Sequence, residues 1–330
     1  MTPCGFNVQW LYTAQAAPRG PDERVLDAMA AWGFDLLRLP TDYRLWSVGG
    51  DPYQADEGVL GLVDEVVQAC RDRSIHLSLN VHRAPGYIVT GWESEPYNLW
   101  ADPEAEAAFV ATWEGFAQRY AGVPTEALSF DLVNEPPAVG QRGFTRAAHE
   151  AVIRRAAAAI RSVSPHRPIV VDGLNGGNLA LPELADLGAT HSARGYQPMS
   201  VSHHGAPWWS GSAAMAMPPA YPVQYDGRWW DRDGLRDFYE PWRQVEAMGV
   251  PVHVGEFGCY DRTPDDVAQA WLADLLAVFG EFGWGYALWE FEGPFGIVGH
   301  TRPGAVFENL DGFRVDRRLL DLMQANRGVS

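Results

Sequence analysis

A chain of 330 residues with 47% hydrophobic content is long enough for one large core, and α/β barrels reach this size as a single domain. Its 25 Lys and Arg stand against 42 Asp and Glu, and the formal charge of -17 argues against nucleic acid or an anionic membrane surface as a partner. No apolar run reaches the length of a spanning helix, and no basic-then-apolar leader opens the chain, so the sequence as it stands points to a cytoplasmic protein, or to a secreted one if a signal has been removed.

Strand-like and helix-like runs alternate throughout, the pattern of βαβ units around a parallel sheet. In chain order the strand candidates are 6–10, 36–39, 76–81, 127–133, 168–171, 193–196, 252–254 and 285–289, with helices after nearly all of them. Eight such repeats predict an α/β fold, a single (β/α)8 TIM barrel over residues 1–330. Within 58–73, Leu60, Val63, Val66, Val67 and Cys70 recur every three to four residues, laying one apolar stripe along a helix. Asp102-Pro103 and Thr263-Pro264, the latter with Asp266 three residues after the cap, mark two further helix starts. Long Pro- and Gly-punctuated loops at 84–100, 197–233 and 291–312 follow strands 3, 6 and 8, which puts them at the carboxyl face where barrels build active sites.

Cys4, Cys70 and Cys259 are odd in number and widely spaced, which fits buried thiols and neither a disulfide framework nor a metal pattern. The 14 Trp, 12 Tyr and 14 Phe exceed what packing needs, and many fall in loops where sugar rings could stack on them. Glycine-rich phosphate loops, a GxSxG elbow and a zinc-protease helix are all missing, His149-Glu150 lacking the second histidine, so no organic cofactor is expected.

Two glutamates occupy the positions that glycosidic bond cleavage with retention requires, one carboxyl protonated and one ionised, about 5 to 5.5 Å apart. Glu135 closes the run SFDLVNEP and Glu256 closes PVHVGEFG, so each would emerge at the rim from a different wall of the barrel. Taken alone, Asn-Glu-Pro reads equally well as a turn in which Pro136 ends the strand and Glu135 is a solvated charge. Around the two glutamates stand Arg38 in LLRLP, His82 in NVHRAPGY, Asn134 in VNEP, Tyr196 in RGYQP and Trp289 in YALWEF.

In order and position these residues resemble the family 5 glycoside hydrolases, the cellulase and mannanase group of retaining barrel enzymes. The resemblance spans nearly the whole chain. It implies Glu135 as acid/base and Glu256 as nucleophile, with Asn134 on the sugar 2-hydroxyl and Trp289 as the floor beneath the transferred sugar. Arg38 and the Tyr196 hydroxyl would favour the charged form of Glu256, whose charge would in turn keep Glu135 protonated near neutrality. His82 would orient substrate or the groups behind it, or else serve the HRAPGY turn.

One position departs from the family. Its strand six usually reads His, any residue, Tyr, whereas Arg194-Gly195-Tyr196 stands here. Arg194 could hold a different substrate hydroxyl, bind an anionic group, or pair with a rim carboxylate. His203 and His204 follow in the same loop; adjacent histidines in extended chain do not face one metal, so hydrogen bonding to sugar or loop is expected and no metal site. Of the loop tryptophans Trp208, Trp209, Trp229 and Trp230, at least one is expected to contact sugar. Glu290 and Glu292 could bind substrate, compete as catalytic carboxyls, or be solvated loop charges.

The expected partner is an oligosaccharide or glycoside with β-linked glucose, mannose or a related sugar, with soluble substrates favoured over solid cellulose. Linkage, endo or exo action and oligomeric state are left open. The competing readings are a carbohydrate-binding barrel of little or no activity, a transglycosylase on the same scaffold, and a metal-dependent barrel hydrolase.

Overall fold

The computed structural model describes residues 2–211 and 218–327. Eight parallel strands form a closed ring: β1 (Cys4–Asn7), β2 (Leu36–Asp42), β3 (His76–Ala84), β4 (Leu128–Asp131), β5 (Ile169–Asp172), β6 (Thr190–Gly195), β7 (Val252–Phe257) and β8 (Tyr286–Leu288). Each pairs with its sequence neighbours, and β1 closes the circle by pairing Cys4 with Tyr286 of β8. All eight predicted strands exist, with shifted ends. The first, expected at 6–10, starts and stops earlier, and β4 ends at Asp131, four residues before Glu135.

Helices α1 (Glu23–Ala31), α2 (Glu57–Asp72), α3 (Pro103–Arg119), α4 (Arg146–Val163), α5 (Arg232–Phe238), α6 (Glu240–Glu246), α7 (Asp265–Phe282) and α8 (Arg317–Ala325) form the outer layer. The β5 to β6 crossing carries the 3₁₀ segment Pro182–Leu187 instead, burying Leu184 and Leu187. The expected stripe on α2 is buried at Leu60, Val63, Val66, Val67 and Cys70, each such side chain contributing about 1.5–3 kcal/mol when fully covered. All three cysteines are buried.

The two cap expectations need correction. The Asp102 carboxylate accepts the backbone N–H of Asn98 at 2.6 Å, which ties down the preceding loop and leaves the first turn of α3 without a side-chain cap. Helix α7 begins at Asp265, and Thr263 donates its hydroxyl to the Val201 carbonyl at 2.6 Å, joining the loops after β6 and β7.

The apolar core lies between strands and helices, and two of its tryptophans also secure the carboxyl rim. Trp113 of α3 donates its indole N–H to the Leu132 carbonyl at 3.1 Å, and Trp271 of α7 donates to the Gln197 carbonyl at 3.1 Å. The upper interior of the barrel is polar: Asn7, Arg38, Asn80, Asp131, Asp172, Arg194 and Glu256 are each at most 3% exposed.

A bulge in β7 aims one of these residues. Val254 pairs with Ala193 and Glu256 with Arg194, so two steps on β7 oppose one on β6, and Gly255 is the extra residue. Paired residues of parallel strands share a face, and the bulge therefore turns Glu256 inward beside Arg194. A Cβ on Gly255 would lie 2.4 Å from Ser192 Oγ and 2.9 Å from Arg194 Nη1, so the extra residue must be glycine. Among the described residues, no helix is long and apolar enough to cross a membrane.

Candidate active site

Glu135 and Glu256 rise from β4 and β7, three steps apart around the ring of eight, and Asp172 of β5 and Arg194 of β6 fill the gap between them. Just beyond its strand, Glu135 takes φ 47°, a left-handed conformation that costs a non-glycine residue about 1 kcal/mol or more. Two contacts hold it there. Its backbone N–H donates to Asp172 Oδ2 at 2.9 Å, and its carbonyl accepts the Tyr87 hydroxyl at 2.5 Å.

The side chains behind the carboxyls form one closed network. Arg38 Nη1 donates to Glu256 Oε1 at 2.6 Å and to Asn7 at 3.0 Å, its Nε to Asp131 at 2.7 Å and its Nη2 to the Asn134 amide oxygen at 2.9 Å. Arg194 donates from Nε to Glu135 Oε1 at 3.0 Å and from Nη2 to Asn134 at 2.9 Å, while both its Nη groups engage Asp172. Its Nη2 also lies 3.3 Å from Glu256 Oε1. The Tyr196 hydroxyl donates to Glu256 Oε2 at 3.0 Å.

These surroundings treat the two glutamates unequally. Glu256 is met by a guanidinium on one oxygen and a phenol on the other, so both its oxygens accept from fixed donors. Burial, and next the charge of Glu256, push Glu135 up to about 8 against the pull of Arg194. Burial and the two guanidiniums hold His82 well below the usual imidazole value, so its ring is neutral. Burial acts to raise Asp172, but the Arg194 and Arg38 charges outweigh it and keep this group below the ordinary carboxylate range. The Glu135 carboxyl thus keeps its proton near neutrality beside Glu256.

Both glutamates open on a cleft of about 640 Å³, also lined by Tyr12, His82, Tyr196, His203, Trp208, Trp289, Glu290 and Phe295. Residues 2–293 match the family model Cellulase (glycosyl hydrolase family 5). The chain belongs to glycosyl hydrolase family 5. It is an O-glycosyl hydrolase. Endoglucanase C of Acetivibrio thermocellus is 24% identical over 294 residues, covering 82% of this chain and 83% of the relative. Cellodextrinase A of Ruminococcus flavefaciens is 24% identical over 290 residues, 84% of this chain and 81% of its own. A solved glycoside hydrolase shares 49% identity at a TM-score of 0.97, covering 99% of this chain and 100% of that one. Endoglucanase Cel5A of Thermotoga maritima, at 21% identity and a TM-score of 0.77 over 97% of this chain and 96% of its own, shares the fold.

Within this family 5 cleft, Trp289 stacks on His82 with ring centroids 5.5 Å apart and 22° between planes, and Tyr12 meets both rings edge-on. His203 lines the wall, its Nδ1 2.9 Å from the Ser202 hydroxyl and its ring edge-on to Tyr196; burial brings it down to about 4, so it too is neutral. Trp208 is 54% exposed and packs edge-on against Tyr260 at the cleft margin.

Other expected residues lie elsewhere. Arg194, Arg38 and Asn134 are fully buried behind the cleft, so Arg194 pairs with carboxylates instead of reaching out to a substrate group. Trp209 packs against His203 outside the cleft lining, Trp230 is buried against Phe238, and exposed Trp229 donates to Asp231. Residues 212–217 of that loop lie outside the described residues.

Sequence reading missed Asp131, Asp172, Tyr12, Tyr87 and Phe295. The aspartates had a signal: each closes a short, mostly apolar and fully buried strand, LSFD and IVVD, where an unpaired charge would be costly. Glu290 proves to be 5% exposed on the cleft wall, where burial above all pushes it up to about 8, whereas Glu292 is an exposed margin charge.

Proposed function

We propose that this enzyme is a retaining β-glycosidase that cleaves β-linked glucosides or closely related oligosaccharides by double displacement, with Glu256 as nucleophile and Glu135 as acid/base. The observation that carries this reading is the single Arg194 guanidinium touching both carboxyl groups, which brings them close together at one cleft where Glu135 is pushed up to about 8. In the first half, a Glu256 oxygen bonds to the anomeric carbon as the glycosidic C–O bond breaks, and the Glu135 proton goes to the departing oxygen. In the second, water bonds to that carbon as the bond to Glu256 breaks, and Glu135 takes the water proton.

Trp289 supplies an apolar face for the transferred ring, and buried Asn134, its oxygen taken by two arginines and its amide nitrogen 3.4 Å from His82 Nε2, braces the groups behind the cleft. Among the described residues the cleft lining holds Glu135, Glu256, Glu290 and Glu292 and no Arg, which favours neutral sugars over uronic acids. Endoglucanase and cellodextrinase relatives support a β-glucan-derived substrate.

Glu135→Gln and Glu256→Gln test the assignment on an activated aryl β-glycoside that the parent cleaves, with product anomer followed by NMR. Loss of turnover in Glu256→Gln and initial release of the β-anomer are expected. Wild-type turnover in both variants, or an α-anomer as first product, refutes it.

A further inference from the structure

Arg194 stands where the family resemblance places a histidine, and its environment is built to hold it. A Cβ on Gly177 would fall 2.3 Å from Arg194 Cγ, and one on Gly255 would fall 2.9 Å from its Nη1, so two glycines clear the channel for the side chain. Asp172, itself fully buried, binds both Nη groups and fixes the direction of the fork.

The groups facing Glu135 come from several walls: Tyr12 after β1, Tyr87 after β3, Asp172 on β5, Arg194 on β6, Tyr196 after β6 and Glu256 on β7. Among the described residues, Arg194 is the one cation that contacts the Glu135 carboxyl. A guanidinium only donates hydrogen bonds, and it never loses its charge in a protein. Glu135 Oε1 is therefore an acceptor in every protonation state, while Oε2 has no hydrogen-bond partner among the described residues.

Resting on the double-displacement reading above, we propose that Arg194 is a positioning residue that acts through Glu135: it keeps the transferable proton on Oε2 and drives that group from acid to base as Glu256 takes up the sugar. In the free enzyme the Glu256 charge offsets the guanidinium 3.3 Å away, and Glu135 keeps its proton. Forming the ester removes that charge. As it goes, the guanidinium acts on Glu135 without the Glu256 offset, and the proton passes from Oε2 to the leaving oxygen while the glycosidic bond breaks, leaving Oε2 as a carboxylate oxygen. When water attacks, Oε2 takes its proton, the ester to Glu256 breaks, and both groups return to their starting states. A histidine here would supply this charge only while protonated.

The experiment uses a dinitrophenyl β-glycoside, whose leaving group needs no proton, so that only the second half of the cycle depends on Glu135. Arg194→Gln should lower kcat at least ~10-fold, within the range of general acid–base catalysis, with KM falling in step as glycosyl-enzyme accumulates. Azide, a nucleophile that needs no base, should restore the rate, and the alkaline limb of kcat/KM on an oligosaccharide should move to higher pH. Arg194→His should recover turnover only as pH is lowered far enough to charge the buried imidazole.

A kcat within about twofold of the parent, no response to azide or an unmoved limb overturns the proposal. Should the variants fail to fold, the parent is trapped with a 2-deoxy-2-fluoro glycoside and its reactivation by water is followed against pH. A rate that is flat above about pH 5 is expected, because the base is then an ordinary or depressed carboxylate. A rate that rises with a midpoint near the free-enzyme value of about 8 overturns the assignment. A parent that leaves every aryl glycoside intact defeats the double-displacement reading and this one together, whereas an active parent with unchanged Arg194 variants defeats this one alone.

Discussion

Asp172 Oδ2 accepts the backbone N–H of Glu135 at 2.9 Å, so a carboxylate on one strand sets the conformation of a glutamate on the next. The same carboxylate neutralises Arg194 and lies 3.7 Å from Arg38 Nη2. Asp172→Asn keeps an acceptor for the N–H but leaves two guanidiniums under-compensated in a sealed interior. Breaking a buried ion pair from one side costs about 3–5 kcal/mol. Denaturant unfolding should show a loss of that order, and kcat/KM should fall at least ~10-fold in protein that is still folded.

Tyr196→Phe removes one hydrogen bond to Glu256 and little else. A hydrogen bond to a charged group contributes about 1.5–3 kcal/mol. The expected outcome on an activated aryl glycoside is a kcat/KM lower by roughly 10- to 100-fold, with the unfolding midpoint close to the parent. An equal kcat/KM would mean that the phenol does not steady Glu256, the proposed nucleophile.

Two buried carboxyls make stability depend on pH with a definite sign. Glu135 and Glu290 are both pushed from an ordinary value of 4.5 up to about 8 in the folded protein, by burial above all. Between those pH values the folded state holds protons that the unfolded chain has lost, so their contribution to stability falls as pH rises through the window. Buried neutral histidines such as His82 and His203 act with the opposite sign up to about pH 6.5, so chemical unfolding followed from about pH 7 to 8 should show the decline. Glu290→Gln, which is neutral throughout, should make the slope shallower.

Trp208 projects into the cleft with half of its surface open, beside Tyr260 and Phe295. Trp208→Ala should raise KM for oligosaccharides several-fold, in line with about 0.5–1.5 kcal/mol for a ring-stacking contact. Short aryl glycosides and the melting temperature should respond little, because the side chain is not part of the core.

The barrel was legible because its strands and amphipathic helices repeat with fixed periods, as the α2 stripe at Leu60, Val63, Val66, Val67 and Cys70 illustrates. Glu135, Glu256, Arg38, Asn134 and Tyr196 were legible as a set, since motifs at successive strand ends converge once the ring closes. Legibility failed where meaning depends on a neighbour distant in sequence. Asp172 looks like the end of a strand until Arg194 lies against it, and the Gly255 bulge appears only when β7 is laid beside β6. Trp230 resembled a loop aromatic, but a short hairpin folds it onto Phe238 and buries it. Asp102 and Thr263 carried the chemistry of helix caps and were claimed by nearer loop groups.

The mouth of the barrel encloses the guanidiniums of Arg38 and Arg194 against the carboxylates of Asp131, Asp172 and Glu256. Under the proposed double displacement, esterification cancels the charge on Glu256 at the moment Glu135 gives up its proton and acquires one. The enclosed total is thus the same before, during and after turnover, with one unit of negative charge merely handed across the width of Arg194. Water outside the cleft need not rearrange to follow the reaction, and much of the electrostatic work of the cycle is done by a dipole that reverses within a fixed frame.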